Sequence, residues 1–255
     1  MDTLPTTPAT HPAGTFATSA TPVMSASTAL VIGGTGGLGA ALVQALQRDA
    51  SYTQVLCLGR SNIPAIDYAD EATLTDSAQW VAQQCTSAPL RTVIVATGYL
   101  HTDGTGPERT WSQLDAQYLQ RVMLINAIGP ALVFKHFAQL LARDRLTRMA
   151  LISAKVGSIG DNALGGWYGY RASKAALNQI IKTASIEMTR RSKLSVCIAM
   201  HPGTVATALS DPFSKTGLNV RAADVAAAEI LQVVHALLPA QTGGFYDYKG
   251  ENLPW

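Results

Sequence analysis

The chain has 255 residues, 47% of them hydrophobic and 14% charged, too apolar and too weakly charged for a disordered polymer, so a sizeable buried core is expected. Nineteen Lys and Arg against seventeen Asp and Glu give a formal charge of +2, which excludes the strong basic footprint of a nucleic-acid binder. Cys57, Cys85 and Cys197 lie far apart, which excludes a disulfide framework and a metal-ligand spacing; a reducing, cytoplasmic home is the simplest expectation.

Residues 1–27 are rich in Thr, Pro, Ala and Ser and contain no Lys or Arg, so they lack the basic start and apolar centre of a secretory signal. A flexible tail without a catalytic role is expected there, with Met24 as an alternative start. No stretch reaches ~18 consecutive apolar residues, so neither a spanning helix nor a membrane partner is expected.

From Thr28 onward, short apolar runs alternate with amphipathic segments. A run at Ala29–Ile32 precedes a helix candidate at Leu38–Arg48, and a run at Val55–Leu58 is followed by a weaker one near Ile63–Ile66. Next come a helix candidate at Glu71–Cys85, a run at Val93–Ala96 and a long helix candidate at Trp111–Ala142. Runs at Met149–Ile152 and Val196–Met200 flank a helix candidate at Tyr168–Thr189, and a last pair lies at Ala222–Leu238 and Phe245–Tyr248. Short runs bounded by Gly, Pro or polar residues suit strands covered on both faces, and their alternation with helices argues for parallel pairing. The expected fold is α/β: one Rossmann-type doubly wound parallel sheet of about seven strands with helices on both faces, over residues 28–255. Pro202-Gly203 must end the sixth strand, because proline cannot donate to a central ladder. The irregular stretch Thr204 to Val220, around Phe213, is a candidate substrate lid.

The first run leads directly into Gly33-Gly34-Thr35-Gly36-Gly37-Leu38-Gly39 and then a helix. Glycine permits a tight turn and close approach to a pyrophosphate, and a helix N-terminus offers free N–H groups. Gly34, Gly36 and Gly39 fit one dinucleotide spacing, while Gly33, Gly37 and Gly39 fit another. The second run ends Leu58-Gly59-Arg60-Ser61 without the carboxylate that NAD sites commonly place there. Arg60 suits a 2′-phosphate, with Ser61 beside it, so NADP(H) is favoured over NAD.

Tyr170-Arg171-Ala172-Ser173-Lys174 opens an Ala-rich helix and places Tyr170 and Lys174 one turn apart on one face. A phenol near pKa 10 is a poor acid–base group at neutral pH, and a neighbouring ammonium favours its phenolate.

On these motifs the chain resembles the short-chain dehydrogenase/reductase superfamily from about Thr28 to Trp255, and within it the C-factor-like branch of small carbonyl reductases. The branch likeness rests on Val156-Gly157-Ser158-Ile159, Gly165-Gly166-Trp167-Tyr168-Gly169-Tyr170 and Phe245-Tyr246-Asp247-Tyr248. The resemblance implies reduction of a small-molecule carbonyl, or oxidation of an alcohol, by hydride transfer. Tyr170 would be the general acid/base, Lys174 would lower its pKa and bond the nicotinamide ribose, and Asn126 would hold a water linking Lys174 to solvent. It also implies cofactor contacts from Gly33, Gly37, Leu38, Gly39, Asp67, Tyr68, Ala96, Gly98, Lys174, Pro202, Gly203, Val205 and Thr207. No metal is implied, and a homodimer or homotetramer is. Ala96-Thr97-Gly98 departs from the family's usual N-N-A-G.

A serine usually follows the fifth strand in this family. Here Ala154 falls at that place, leaving Ser158 as the expected carbonyl-orienting hydroxyl, Ser153 as the alternative, and a site using Tyr170 alone as a third option. Tyr99, His101 and Trp167 are pocket candidates, although His101 could be an ordinary loop histidine and Trp167 or Tyr168 core or interface aromatics. A nucleotide-binding regulatory protein with little turnover is the alternative function.

Overall fold

The computed structural model describes residues 26–101, 106–210 and 219–255. Most of the 1–27 tail and the Phe213 part of the expected lid lie outside these residues.

Six strands form one parallel sheet: β1 (Thr28–Ile32), β2 (Gln54–Leu58), β3 (Leu90–Val95), β4 (Thr147–Ile152), β5 (Ser195–His201) and β8 (Phe245–Asp247). Their spatial order is β2-β1-β3-β4-β5-β8. The order reverses between β1 and β3, and a doubly wound sheet opens its ligand crevice beyond the carboxyl ends of the strands at that point.

Apolar residues alternate between the two faces, as a period of two requires. Leu30, Ile32, Val93, Val95, Met149 and Leu151 pack on one side, and Ala29, Val31, Ile94, Ala150 and Ile152 on the other. Helices α1 (Gly37–Arg48) and α6 (Ala223–Ala236) cover the second face through Leu42, Leu46, Ile230 and Val234. The first is covered by α2 (Glu71–Gln84), α4 (Gly129–Phe137) and α5 (Tyr168–Arg191) through Leu74, Val81, Val133, Phe137, Leu177 and Ile181.

The sheet has six strands where about seven were expected. The run near Ile63–Ile66 forms none: Pro64 has no N–H to donate, Ile63 is 96% exposed, and only Ile66 reaches the core. The stretch read as an irregular lid contributes a separate two-strand ladder, β6 (Thr204–Val205) with β7 (Val220–Arg221).

The long helix expected over Trp111–Ala142 is also subdivided. Trp111–Gln113 is a short 3-10 turn, and Asp115 caps α3 (Ala116–Met123) by accepting from the Tyr118 N–H at 2.7 Å. A π-helical turn, Leu124–Ile128, then joins α3 to α4. By length and composition Ala116–Leu140 could cross a membrane, with a mean hydropathy of 1.2. Here its buried residues, among them Val122, Val133 and Phe137, pack within the protein.

Candidate active site

The glycine turn sits at the carboxyl end of β1. Gly33 has φ of 84°, in the left-handed region that glycine enters freely, and its N–H bonds Leu58 O at the end of β2 at 2.7 Å. A Cβ on Gly37 would lie 2.9 Å from Thr207 Cγ2, and one on Gly39 would run into the Gly33 carbonyl. Helix α1 begins with no side-chain cap and no acidic residue in its first turn, so its orphan N–H groups are available to an anion. The turn therefore fits the pyrophosphate of a dinucleotide. Arg60 and Ser61 are exposed just beyond β2, beside this turn.

Against this turn pack Ala96-Thr97-Gly98, after β3, and the Pro202–Thr207 loop, after β5: a Cβ on Gly33 would lie 2.9 Å from Thr97 Cγ2. The two approach each other: a Cβ on Gly98 would meet Leu209 Cδ2 at 3.6 Å, and His101 Nε2 lies 3.1 Å from Ala208 O. Gly203 has φ of 69°, and Arg221 fixes this bend from behind. The Arg221 guanidinium donates to Pro202 O, pairs with Glu229 and lies 3.4 Å from the Tyr248 ring centroid. Val205 is buried, so its side chain serves packing.

Asp67 and Tyr68 were expected at the adenine. Asp67 is exposed, with Oδ1 accepting from the Ala69 N–H at 2.9 Å. The Tyr68 side chain instead packs inward against Gly129 of α4, and its hydroxyl lies 3.0 Å from Thr97 Oγ1. Its alternation with Ile66 turns both side chains to the core, leaving only backbone at residue 68 to face a nucleotide.

Tyr170 and Lys174 lie side by side on α5, 8% and 2% exposed, with Lys174 Nζ 5.9 Å from the Tyr170 ring centroid. Lys174 Nζ donates to Ile152 O, the last carbonyl of β4, at 2.8 Å. Burial pushes the Tyr170 phenol up to about 12 and the Lys174 ammonium down to about 7. Gly157 permits the β4–α5 loop to close on this pair, since a Cβ there would stand 2.8 Å from the Lys174 backbone. The Trp167 ring meets Tyr170 edge-on, centroids 6.1 Å apart.

Asn126 sits in the π-turn, and π-turns recur at functional sites. Its Oδ1 accepts from Tyr99 N at 2.8 Å, and its Nδ2 donates to Tyr99 O at 2.8 Å and Ser173 Oγ at 3.1 Å. Asn126 thus ties the exit of β3 to α5. The pocket candidate Tyr99 is 8% exposed and packs with Tyr118 and Val122 as a small core of its own.

The two candidate serines have protein partners. Ser153 donates to Asn178 Oδ1 at 2.6 Å, and Ser158 donates to Trp255 O at 3.2 Å while accepting from the Asp161 N–H. Trp255 stacks on Phe245 of β8, so the Ser158 hydroxyl fastens the loop to the C-terminal segment. Ala154, at the end of β4, is half-buried. Sequence reasoning missed Glu108, which closes the N-terminus of α5, and Arg221; both act across long sequence separations. Among the described residues no cluster of His, Cys, Asp or Glu could hold a metal ion.

The chain is similar to known proteins along nearly its whole described length. C-signal of Myxococcus xanthus is 33% identical over 156 residues, 60% of this chain and 90% of that protein. The 1-hydroxy-2-glutathionyl-2-methyl-3-butene dehydrogenase of Rhodococcus sp. is 26% identical over 238 residues, 90% of this chain and 100% of that one. The fold matches an NADPH-bound carbonyl reductase from chicken fatty liver with a TM-score of 0.80 at 22% identity, covering 90% of this chain and 94% of the other. Residues 27–218 match the family model for short chain dehydrogenases, and the chain belongs to that family of oxidoreductases.

Proposed function

We propose that the protein is an NADP(H)-dependent oxidoreductase that interconverts a carbonyl and an alcohol on a small molecule, with Tyr170 exchanging the proton. The observation that carries this reading is the buried Tyr170–Lys174 pair, bonded to the last carbonyl of β4, on the same carboxyl-end side of the parallel sheet as the uncapped glycine turn after β1. Gly33, Gly37, Leu38 and Gly39 would hold the pyrophosphate, Arg60 and Ser61 the 2′-phosphate, and Pro202 to Thr207 the nicotinamide end. When bound, the nicotinamide supplies or accepts the hydride. Tyr170 gives its proton to the carbonyl oxygen in reduction and takes it back in oxidation. Burial holds that phenol near 12, too weak an acid for the task, and Lys174 would draw it down when protonated. Asn126 orients α5 against the exit of β3. With the Ser153 and Ser158 hydroxyls bonded to Asn178 and Trp255, Tyr170 works without a serine from this loop.

The NADPH-bound chicken carbonyl reductase supports the choice of cofactor. Tyr170→Phe tests the reading: it should bind NADPH like the parent in a fluorescence titration and lose aldehyde and ketone reduction by several orders of magnitude. Near-normal turnover would refute it. A second reading, a nucleotide-binding signalling protein with little turnover, is favoured by the likeness to C-signal and by the engaged serines. Tight NADPH binding without oxidation across a broad carbonyl panel would select it.

A further inference from the structure

The helix that carries Tyr170 begins in an unusual way. Gly165, Gly166 and Trp167 have φ of 64°, 66° and 52°, three left-handed residues in succession, and Trp167 stands at the N-cap of α5 with no side-chain cap bond. A bulky residue holds such a conformation only where its surroundings over-determine it.

Glu108 supplies the constraint. Its backbone carbonyl accepts from Trp167 N at 2.5 Å, and its two carboxylate oxygens accept from Gly169 N at 3.2 Å each. A Cβ on Gly169 would stand 3.0 Å from Leu119 Cδ2 and 3.1 Å from Glu108 Oε1, so the absence of a side chain at 169 makes room for the carboxylate. Glu108 is 4% exposed and belongs to none of the ion pairs among the described residues. A buried carboxylate without a cationic partner needs compensation, and here the amide end of α5 provides it. Tyr170 is the third residue of that helix. The charge also reaches Tyr118 on α3, whose phenol is raised by burial first and by Glu108 second.

We propose that Glu108 is a positioning residue of the helix that carries Tyr170: it clamps the left-handed turn that sets Trp167 against Tyr170, and its buried negative charge offsets the positive N-terminal end of α5 beside Tyr170. The proposal rests on the reading of Tyr170 as proton donor. Uncompensated, the positive end of α5 would pull Tyr170 toward phenolate, against the burial that raises it. The groups around Tyr170 are Lys174 on its own helix, Tyr118 on α3 and Trp167, with Glu108 from the loop before α3 bonded to the adjacent Gly169 N–H. Arg171 is turned away, bonding Gly166 O and Val156 O.

The test is the pH profile of carbonyl reduction at saturating NADPH. Glu108→Gln keeps an acceptor for the Gly169 N–H and removes the charge. Its basic limb, where Tyr170 loses its proton, should move to lower pH by about half to one unit, with NADPH affinity unchanged. Glu108→Asp keeps the charge on a shorter stem, so it should lose turnover while its limb stays at the parent position. A parental limb in Glu108→Gln, or an equal shift in Glu108→Asp, overturns the proposal. Tyr170→Phe, assayed in parallel, separates the two failures. An inactive Tyr170→Phe with an unmoved Glu108→Gln limb sinks only the role of Glu108, whereas an active Tyr170→Phe sinks the reading beneath it as well.

Discussion

Lys174 makes stability depend on pH in a way that one substitution can isolate. The residue is 2% exposed, and among the described residues its ammonium has a single hydrogen-bond acceptor, Ile152 O at 2.8 Å. Burial lowers it from 10.5 to about 7. The unfolded chain therefore binds this proton more tightly than the folded one, so folding is penalised below the folded value. The penalty is relieved as pH rises through the window between the two values, and is absent above the upper one. At 1.36 kcal/mol per unit, the full penalty is on the order of 5 kcal/mol. Lys174→Met keeps the length of the side chain and removes the charge. Urea denaturation of parent and variant without cofactor, from pH 6 to 9.5, should show the variant's relative stability greatest at pH 6. That advantage should shrink by about 3 kcal/mol across the range. Working below pH 10 keeps Tyr170, which is raised, protonated in both states. A difference that stays constant with pH would refute the reasoning, since Lys174 would then keep its charge in the folded chain.

Arg60→Ala should weaken NADPH roughly ten- to a hundredfold, the worth of a charge-assisted hydrogen bond, and leave NADH almost unchanged in parallel fluorescence titrations; equal losses would reject the 2′-phosphate assignment. Ser158→Ala should lower stability by about 1 kcal/mol in urea while kcat stays within a few-fold of the parent, and a hundredfold loss of kcat with unchanged stability would return Ser158 to the chemistry. Ala154→Ser should raise kcat on ketones if a hydroxyl at the end of β4 reaches the carbonyl, and no gain with a folded variant would show that it does not.

The strands were legible in the sequence wherever both faces of the sheet are covered, because burial on two sides demands an unbroken apolar run. Ile63–Ile66 has the composition of such a run, but its proline removes a ladder donor and Ile63 faces solvent. The start of α3 was written locally in Asp115, yet the apolar content of Trp111 and Leu114 masked it. Tyr170 and Lys174 could be found because a helix turns a spacing of four into adjacency. Glu108 could not: its partner at Gly169 lies 61 residues away, and only the folded chain brings them together. The Ser158 hydroxyl likewise has a distant partner, Trp255 O, 97 residues away. A hydroxyl's availability depends on what else is within reach, and spacing along the chain does not report that.

The β6–β7 ladder sets Thr204 beside Val220, and the Ala206 N–H bonds Arg221 O at 2.8 Å. That ladder is bolted to the bend at Pro202 by Arg221 and stands apart from the six-stranded sheet. Side chains carried on it can therefore change while the sheet keeps its register. Within one such scaffold, substrate preference can diverge much faster than the fold.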